Sequence, residues 1–485
     1  MPNTDTLLSE KCGALGRTII YQKNSVTNKV IRLNTSNSLA TSVVDRVKDL
    51  ARDVFLPHGY PDSVSGDYLE YQVWDTIQAF CSTITGTFTT QAILKSVGVG
   101  DAEATPFAAA LTWVMKDGTG MLGRIVFAWW KGNSLDADCK KWRLCADILN
   151  DGAMFLELLA PYVGHFSLQI LCVTTSMKAV VGVAGGATRA SITQHQAIQG
   201  NMADVSAKDG SQETCVNLIA SIVGIFLLAV VTDWRWEWIV FFLFVGVHLV
   251  ANYFAVCSLN LPHLNTARLN HVLNTYLHYD TVPQPTIVNK NESVIIGFGP
   301  AISDLCGFKI KLGQSVKRLP ATVTAFELSF LVDMYKNSKY LVVPDVKSRI
   351  MYVILEKGES VEDAIGAYFH TVLLGIATCY YNQENSNVYA NRHLNHTTSV
   401  TRLHTALKSH QKIVVHKNEK LPIDALKTFF TFAQQEVAMF FVALRTNGWN
   451  LNTHSIEIGG WRGQWKDLLT RSPVHHPPFG RQKTE

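Results

Sequence analysis

The apolar positions of this 485-residue chain are grouped, and the strongest group is a pair. Thr214 to Thr232 is a 19-residue stretch without a charge, and Ile239 to Cys257 is another of the same length. Crossing ~30 Å of hydrocarbon takes about 20 residues at ~1.5 Å each, so both just reach. Between them lies Asp233-Trp234-Arg235-Trp236-Glu237-Trp238. Its tryptophans suit an interfacial belt and its charges a headgroup zone. The pattern predicts a membrane-spanning helical hairpin. Upstream, Leu158 to Met177 is uncharged for 20 residues and predicts a third span. Gly182 and Gly186 after it have the GxxxG spacing of closely packed membrane helices. Ala104–Met115 and Met121–Trp130 are apolar but short, and Tyr71–Leu94 mixes apolar residues with Thr, Ser and Gln. Counting these weaker segments raises the expectation from three spans to six.

Beyond Leu261 the period changes. Residues 261–285 read as a linker or short helix. Lys339–Val343 and Arg349–Leu355 are β-branched runs bounded by turn residues, as is Lys412–His416, and each predicts a strand. Ser360-Val361-Glu362-Asp363 resembles a capping box opening a helix through Leu374, and Ile423–Arg445 predicts another long helix. The expected fold is mainly α: a polytopic membrane-helix region followed by a soluble α+β domain. The expected divisions are a flexible segment at 1–40, the membrane-helix region at 41–260, a linker at 261–288, the α+β domain at 289–470 and a flexible tail at 471–485.

Charge sharpens the division. Residues 151–257 carry only 11 charged side chains, whereas 258–485 carry 24 basic and 17 acidic ones, a net +7. A mean hydropathy of +0.10 and 17% charged residues exclude a disordered chain and a strongly basic nucleic-acid binder. The nine cysteines form no CxxC pair and several sit in apolar runs, which favours buried thiols in a reducing compartment. The first 40 residues offer no apolar signal-peptide core. The membrane is therefore one expected partner, with the C-terminal domain on its cytosolic side and Asn291 and Asn395 unglycosylated.

Catalytic signatures are missing. The chain has no GxxxxGK[ST], HExxH, GxSxG or GxGxxG, so no enzyme activity, cofactor or metal is expected. The candidate residues are polar groups in apolar surroundings. On a helix from Trp142 to Ala160, Asp147, Asn150 and Asp151 share one face, with Glu157 at its edge. That face either meets water at a membrane surface or lines a polar cavity between membrane helices. Asp117 and Arg124 flank Gly118-Thr119-Gly120 in what reads as a tight turn, across which they could pair. Arg189 follows the glycine-rich stretch from Gly182. The Lys116–Arg124 loop and this stretch also suggest a small-molecule transporter of the major facilitator type.

Longer motifs carry a family resemblance. Phe55-Leu56-Pro57-His58-Gly59-Tyr60-Pro61-Asp62-Ser63-Val64 and Tyr68-Leu69-Glu70-Tyr71-Gln72-Val73-Trp74-Asp75 resemble the root UVB-sensitive (RUS) family. So do Lys116–Arg124, Trp142–Pro161 and Gly185–Ala190, and the resemblance extends from about residue 40 to about 470. It implies a membrane-associated protein linked to vitamin B6 homeostasis, with another RUS-family protein as partner. No catalytic residue is established for the family, so none is carried over. The leading expectation is a non-enzymatic membrane protein acting through partners; the alternative is the small-molecule transporter.

Overall fold

The computed structural model describes residues 6–12, 17–23, 30–34, 43–96, 106–384, 398–410 and 418–465. The chain divides into two units, residues 1–260 with 293–298, and residues 261–292 with 299–485.

The first unit opens with three antiparallel strands, β1 (Thr6–Cys12), β2 (Arg17–Lys23) and β3 (Val30–Asn34), in that order across a sheet. They occupy the segment expected to be flexible; the β-branched and aromatic run Thr18-Ile19-Ile20-Tyr21 on β2 suits a strand. A short amphipathic helix follows, α1 (Val43–Phe55). Six long helices then make up the body: α2 (Tyr68–Ser96), α3 (Pro106–Lys131), α4 (Cys139–Leu159), α5 (Ser167–Gln196), α6 (Met202–Val230) and α7 (Trp234–Ser258).

Their directions follow from side-chain pairs. On α2, Gln72 meets Asp209 and Thr83 meets Asn217, so α2 and α6 run parallel. Asp147 meets Asn252 and Asp151 meets His248, so α4 and α7 are antiparallel. Successive helices alternate, and the chain enters and leaves the bundle at one end: Asp67, just before α2, accepts from the backbone N–H of Asn260, just after α7. The same carboxylate takes Ser65 Oγ, and His195 Nε2 lies 2.9 Å from it, which ties in the end of α5. Burial alone would raise the Asp67 pKa, but these contacts outweigh it and hold the carboxyl below its ordinary range.

Two expectations in this unit are corrected. The uncharged run Leu158–Met177 is not one helix. Pro161 and Gly164, the latter at φ +53°, break it at residues 160–166, and the long helix is Ser167–Gln196, which tolerates Lys178 by pairing it with Glu157. The Lys116–Arg124 segment is not a turn: α3 passes through it unbroken. Two of its glycines, Gly120 and Gly123, serve a close approach of α5. A Cβ on Gly120 would lie 2.8 Å from Thr175 Cγ2, and one on Gly123 would lie 3.4 Å from the Ser176 backbone. Asp117 and Arg124 are exposed, two turns apart on one helix, and form no pair.

The second unit holds β4 (His263–Asn265), α8 (Thr266–Tyr279), α9 (Pro285–Asn291), α10 (Ile302–Cys306), β5 (Lys309–Leu312), α11 (Ala325–Met334), β6 (Tyr340–Asp345), β7 (Ile350–Glu356), α12 (Val361–Tyr381), α13 (Ser399–Leu407), α14 (Ile423–Thr446), β8 (Asn450–Ser455) and β9 (Arg462–Gly463). The stretch read as a linker or short helix holds the four-turn helix α8. Strand order is β5-β7-β6 with β9 also on β7, and a separate pair joins β4 to β8. Pro344, which has no N–H to give, is tolerated because β6 is an edge. The expected strand Lys412–His416 and the Asn395 acceptor lie outside the described residues.

Helix α12 starts at a complete capping box, with Ser360 Oγ accepting from the Asp363 N–H and the Asp363 carboxylate from the Ser360 N–H. It is apolar enough to cross a membrane, yet 94% of its apolar window is buried by its own unit, so it is a core helix. Gly375 makes that packing possible, since a Cβ there would fall 2.8 Å from the Cys306 carbonyl oxygen. Midway along α12, His370 sits among aromatic rings with Tyr335 Oη 2.9 Å from Nε2 and Tyr340 Oη 3.4 Å from Nδ1.

Burial pushes the His370 pKa down to about 3. The unfolded chain takes up this proton near pH ~6.5 and the folded chain does not, so stability is complete above that pH and falls as pH drops towards 3, by about 1.4 kcal/mol per unit. Urea unfolding of the full chain between pH 7 and pH 5 should show this slope, and His370→Gln should flatten it. An unchanged slope in the variant would exclude His370 as its source.

Candidate functional site

The interior of the helical unit is charged where its exterior is apolar. Leu218, Ile222, Ile225 and Phe226 on α6, Ile239, Phe242 and Leu243 on α7, and Leu122, Ile125 and Val126 on α3 are all exposed. Between the helices runs a ladder of ionisable side chains set at one-turn intervals on α4, namely Arg143, Asp147 and Asp151. The i, i+4 spacing puts them on one stripe of the helix, facing α2 and α7.

Each rung has a partner on another helix. Arg143 donates to Asp75 Oδ1 on α2 at 2.8 Å, with its Nε 3.8 Å from Asp147 Oδ2. Asp147 Oδ2 accepts from Gln78 Nε2 on α2 at 3.0 Å and also from Asn252 Nδ2 on α7. His248 Nδ1 on α7 lies 2.8 Å from Asp151 Oδ2. Because an ionised carboxylate only accepts, the ring nitrogen donates and both amide nitrogens must face Asp147. Five buried atoms on these rungs have no hydrogen-bond partner among the described residues: the acceptors Asp151 Oδ1, Asn252 Oδ1 and Gln78 Oε1, the ring nitrogen His248 Nε2, and the donor Arg143 Nε. His248 and Asn252 are 0% exposed.

At ~1.5 Å per residue, Asp151 lies roughly 18 Å from the start of α4 and His248 roughly 15 Å from the end of α7. The acid–imidazole rung is thus the deepest, near the middle of the bundle. Lys140, one turn before Arg143, closes the end of the stripe by donating to the Leu259 carbonyl at 2.7 Å.

Of the six residues singled out in the sequence, Asp147 and Asp151 are brought together here. Arg189 belongs to a separate cluster, bridging Asp209 and Glu213 on α6 while Gln72 donates to Asp209 Oδ1. Glu157 is buried at the far end of α4 against Lys178. Asp117 and Arg124 take no part. Sequence reasoning missed Asp75, Gln78, Arg143, His248 and Asn252. A signal for the last two was present: apart from Tyr253, they are the polar residues of the uncharged run Ile239–Cys257, spaced i, i+4.

Two family models cover nearly all of the described chain. Residues 41–280 match the "Vitamin B6 photo-protection and homoeostasis domain", and residues 281–465 match "Root UVB sensitive protein, C-terminal". The chain belongs to the root UVB-sensitive (RUS) family. It is 46% identical over 248 residues to "RUS family member 1" of Dictyostelium discoideum, a match covering 50% of this chain and 47% of that relative. The chain thus spans about half the length of that relative. It is 35% identical over 326 residues to "Protein root UVB sensitive 3" of Arabidopsis thaliana, covering 66% of this chain and 74% of the relative. "Protein root UVB sensitive 2, chloroplastic", also of Arabidopsis thaliana, is 25% identical and 80% covered. No solved structure matches the chain. The whole α4 ladder of this RUS-family chain, with Asp75, Gln78, His248 and Asn252, lies inside the first matched domain.

The ladder predicts strong coupling. Arg143→Met alone leaves Asp75 and Asp147 buried without their cation and should cost about 3–5 kcal/mol, whereas the double variant with Asp75→Asn should cost less than the sum of the two single changes. A double-mutant cycle on unfolding in detergent reads this. Asp117→Asn and Arg124→Gln, both exposed, should instead be small and additive.

Proposed function

We propose that the helical unit is integral to a membrane, which α2 to α7 cross, and that the protein serves vitamin B6 homeostasis as a carrier of a small solute rather than as an enzyme. The observation that carries this reading is the inside-out distribution of charge: an apolar exterior around the buried ladder of Arg143, Asp147 and Asp151. In water such a bundle would expose its apolar faces at a large cost, whereas in lipid the same faces are solvated and the paired charges mark a polar pathway.

Three further features support it. Helices α5, α6 and α7 are each long and apolar enough to span. Exposed Trp129 and Trp130 close one end of the bundle and exposed Trp234 and Trp236 the other, as two interfacial girdles would. Lys131, Lys140 and Lys141 gather where the chain enters and leaves, against Lys95 and Arg235 at the far end. By the positive-inside tendency the entry end, with the segment leading to the second unit, is cytosolic. The solute class comes from the family description. B6 vitamers are small, polar rings that cross lipid poorly unaided.

A second reading, action through a RUS-family partner, is favoured by one observation. Gly182, Gly186 and Ala190 form an exposed small-residue stripe on α5, and a Cβ at either glycine would meet nothing within 4 Å. Such a stripe suits a second membrane helix.

Carbonate extraction should leave the protein in the membrane pellet, and reconstituted protein should take up labelled pyridoxine several-fold faster than empty vesicles. Recovery in the soluble fraction would end the membrane reading. A pelleted protein without uptake that cross-links between chains through Gly186→Cys would replace the carrier by the partner-dependent reading.

A further inference from the structure

Four of the unpartnered atoms at the middle of the ladder share a chemical character. Asp151 Oδ1 is a carboxylate oxygen. The amide oxygens of Asn252 and Gln78 are acceptors, their nitrogens both being committed to Asp147 Oδ2. With Nδ1–H on Asp151, Nε2 of the His248 ring is a further acceptor whenever the ring is neutral. Three helices, α2, α4 and α7, therefore contribute unpartnered acceptors around two adjoining rungs, Asp147 and Asp151. The unpartnered donor beside them, Arg143 Nε, is opposed by Asp147 Oδ2 at 3.8 Å.

The charge balance has the same sign. Asp75, Asp147 and Asp151 face Arg143 alone, which leaves two negative charges in excess while His248 is neutral. Excess negative charge in a low-dielectric interior needs a cation. Side chains that are wholly buried exclude a bulky one. Acceptor oxygens are the ligands hard cations take, and the same oxygens stabilise a hydrated proton.

We infer that Asp151, His248, Asn252 and Gln78 bind one small monovalent cation, sodium or a hydrated proton, as the coupling ion of the bundle. The coupling role rests on the carrier reading; binding of the ion does not. Cation binding at Asp151 and His248 joins α4 to α7 more firmly and steadies the bundle. Every ionisable group facing the pair is accounted for: Asp75 and Cys81 on α2, and Arg143 and Asp147 on α4.

Thermal unfolding of the full chain in detergent tests this in two series. In the first, sodium chloride replaces choline chloride at constant ionic strength and pH 8.5; in the second, sodium is absent and pH is lowered from 8.5 to 6. A midpoint that rises by several degrees with sodium identifies sodium as the ion. A rise confined to the pH series identifies the proton. In either case Asp151→Asn should remove most of the rise, and Asn252→Leu, which leaves every carboxylate in place, should weaken binding about tenfold or more. Should Asp151→Asn fail to fold, Gln78→Leu with Asn252→Leu decides the matter. Flat midpoints in both series, or a rise undiminished in the variants, would overturn the inference. Ion-dependent midpoints without pyridoxine uptake would leave the site standing and remove only the carrier.

Discussion

Arg143 is the residue around which the helical unit has to be arranged. A guanidinium stays charged under all conditions a protein meets, and it sits here between Asp75 on α2 and Asp147 on its own helix. Buried without a partner it would be strongly destabilising, so α2 must present its acid where α4 presents its base. That requirement fixes the parallel register of α2 against α4. Asp147 then recruits the amides of Gln78 and Asn252, and Asn252 brings α7 alongside with its register set. Apolar packing of Ile84, Phe88, Met154, Leu158 and Phe241 fills the rest of the interface but does not define how far one helix slides along another.

The second unit solves its problem differently. Its sheet and helices bury one large apolar core, and the ionisable groups within it come in local sets: Glu436 accepts from Arg402 and from Tyr276 Oη, and Arg268 pairs with Glu292. His370 stays neutral by burial instead of by pairing. Both units compensate the charges they bury, but only in the first do those pairs form a continuous stripe along one helix.

What could be read from the sequence follows from the range of the interactions involved. The hairpin of α6 and α7 was legible because an uncharged run of 19 residues is a local property. The acid stripe on α4 was legible because four-residue spacing is one too. The start of α6 at Met202 was hidden, since Lys208, Asp209 and Glu213 look like the end of a span until Arg189 and Gln72 are known to stand opposite. Likewise Asp151 meets His248 across 97 residues of chain, and no local pattern announces that meeting. Gly118, Gly120 and Gly123 misled because glycine marks both turns and close helix contacts. Thr175 and Ser176 on α5 make Gly120 and Gly123 the latter, while Gly118 faces open space.

The rungs of the ladder have equal spacing on both helices: Asp147 and Asp151 on α4, Asn252 and His248 on antiparallel α7. Equal teeth on two bars permit more than one engagement. Sliding α4 by a single turn, about 6 Å along its axis, would put Asp147 opposite His248 and Asp151 opposite Phe244, whereas intermediate positions would leave both carboxylates without a polar partner. The interface is therefore built to move in discrete steps if it moves at all, in the manner of a ratchet with its detents set by charge.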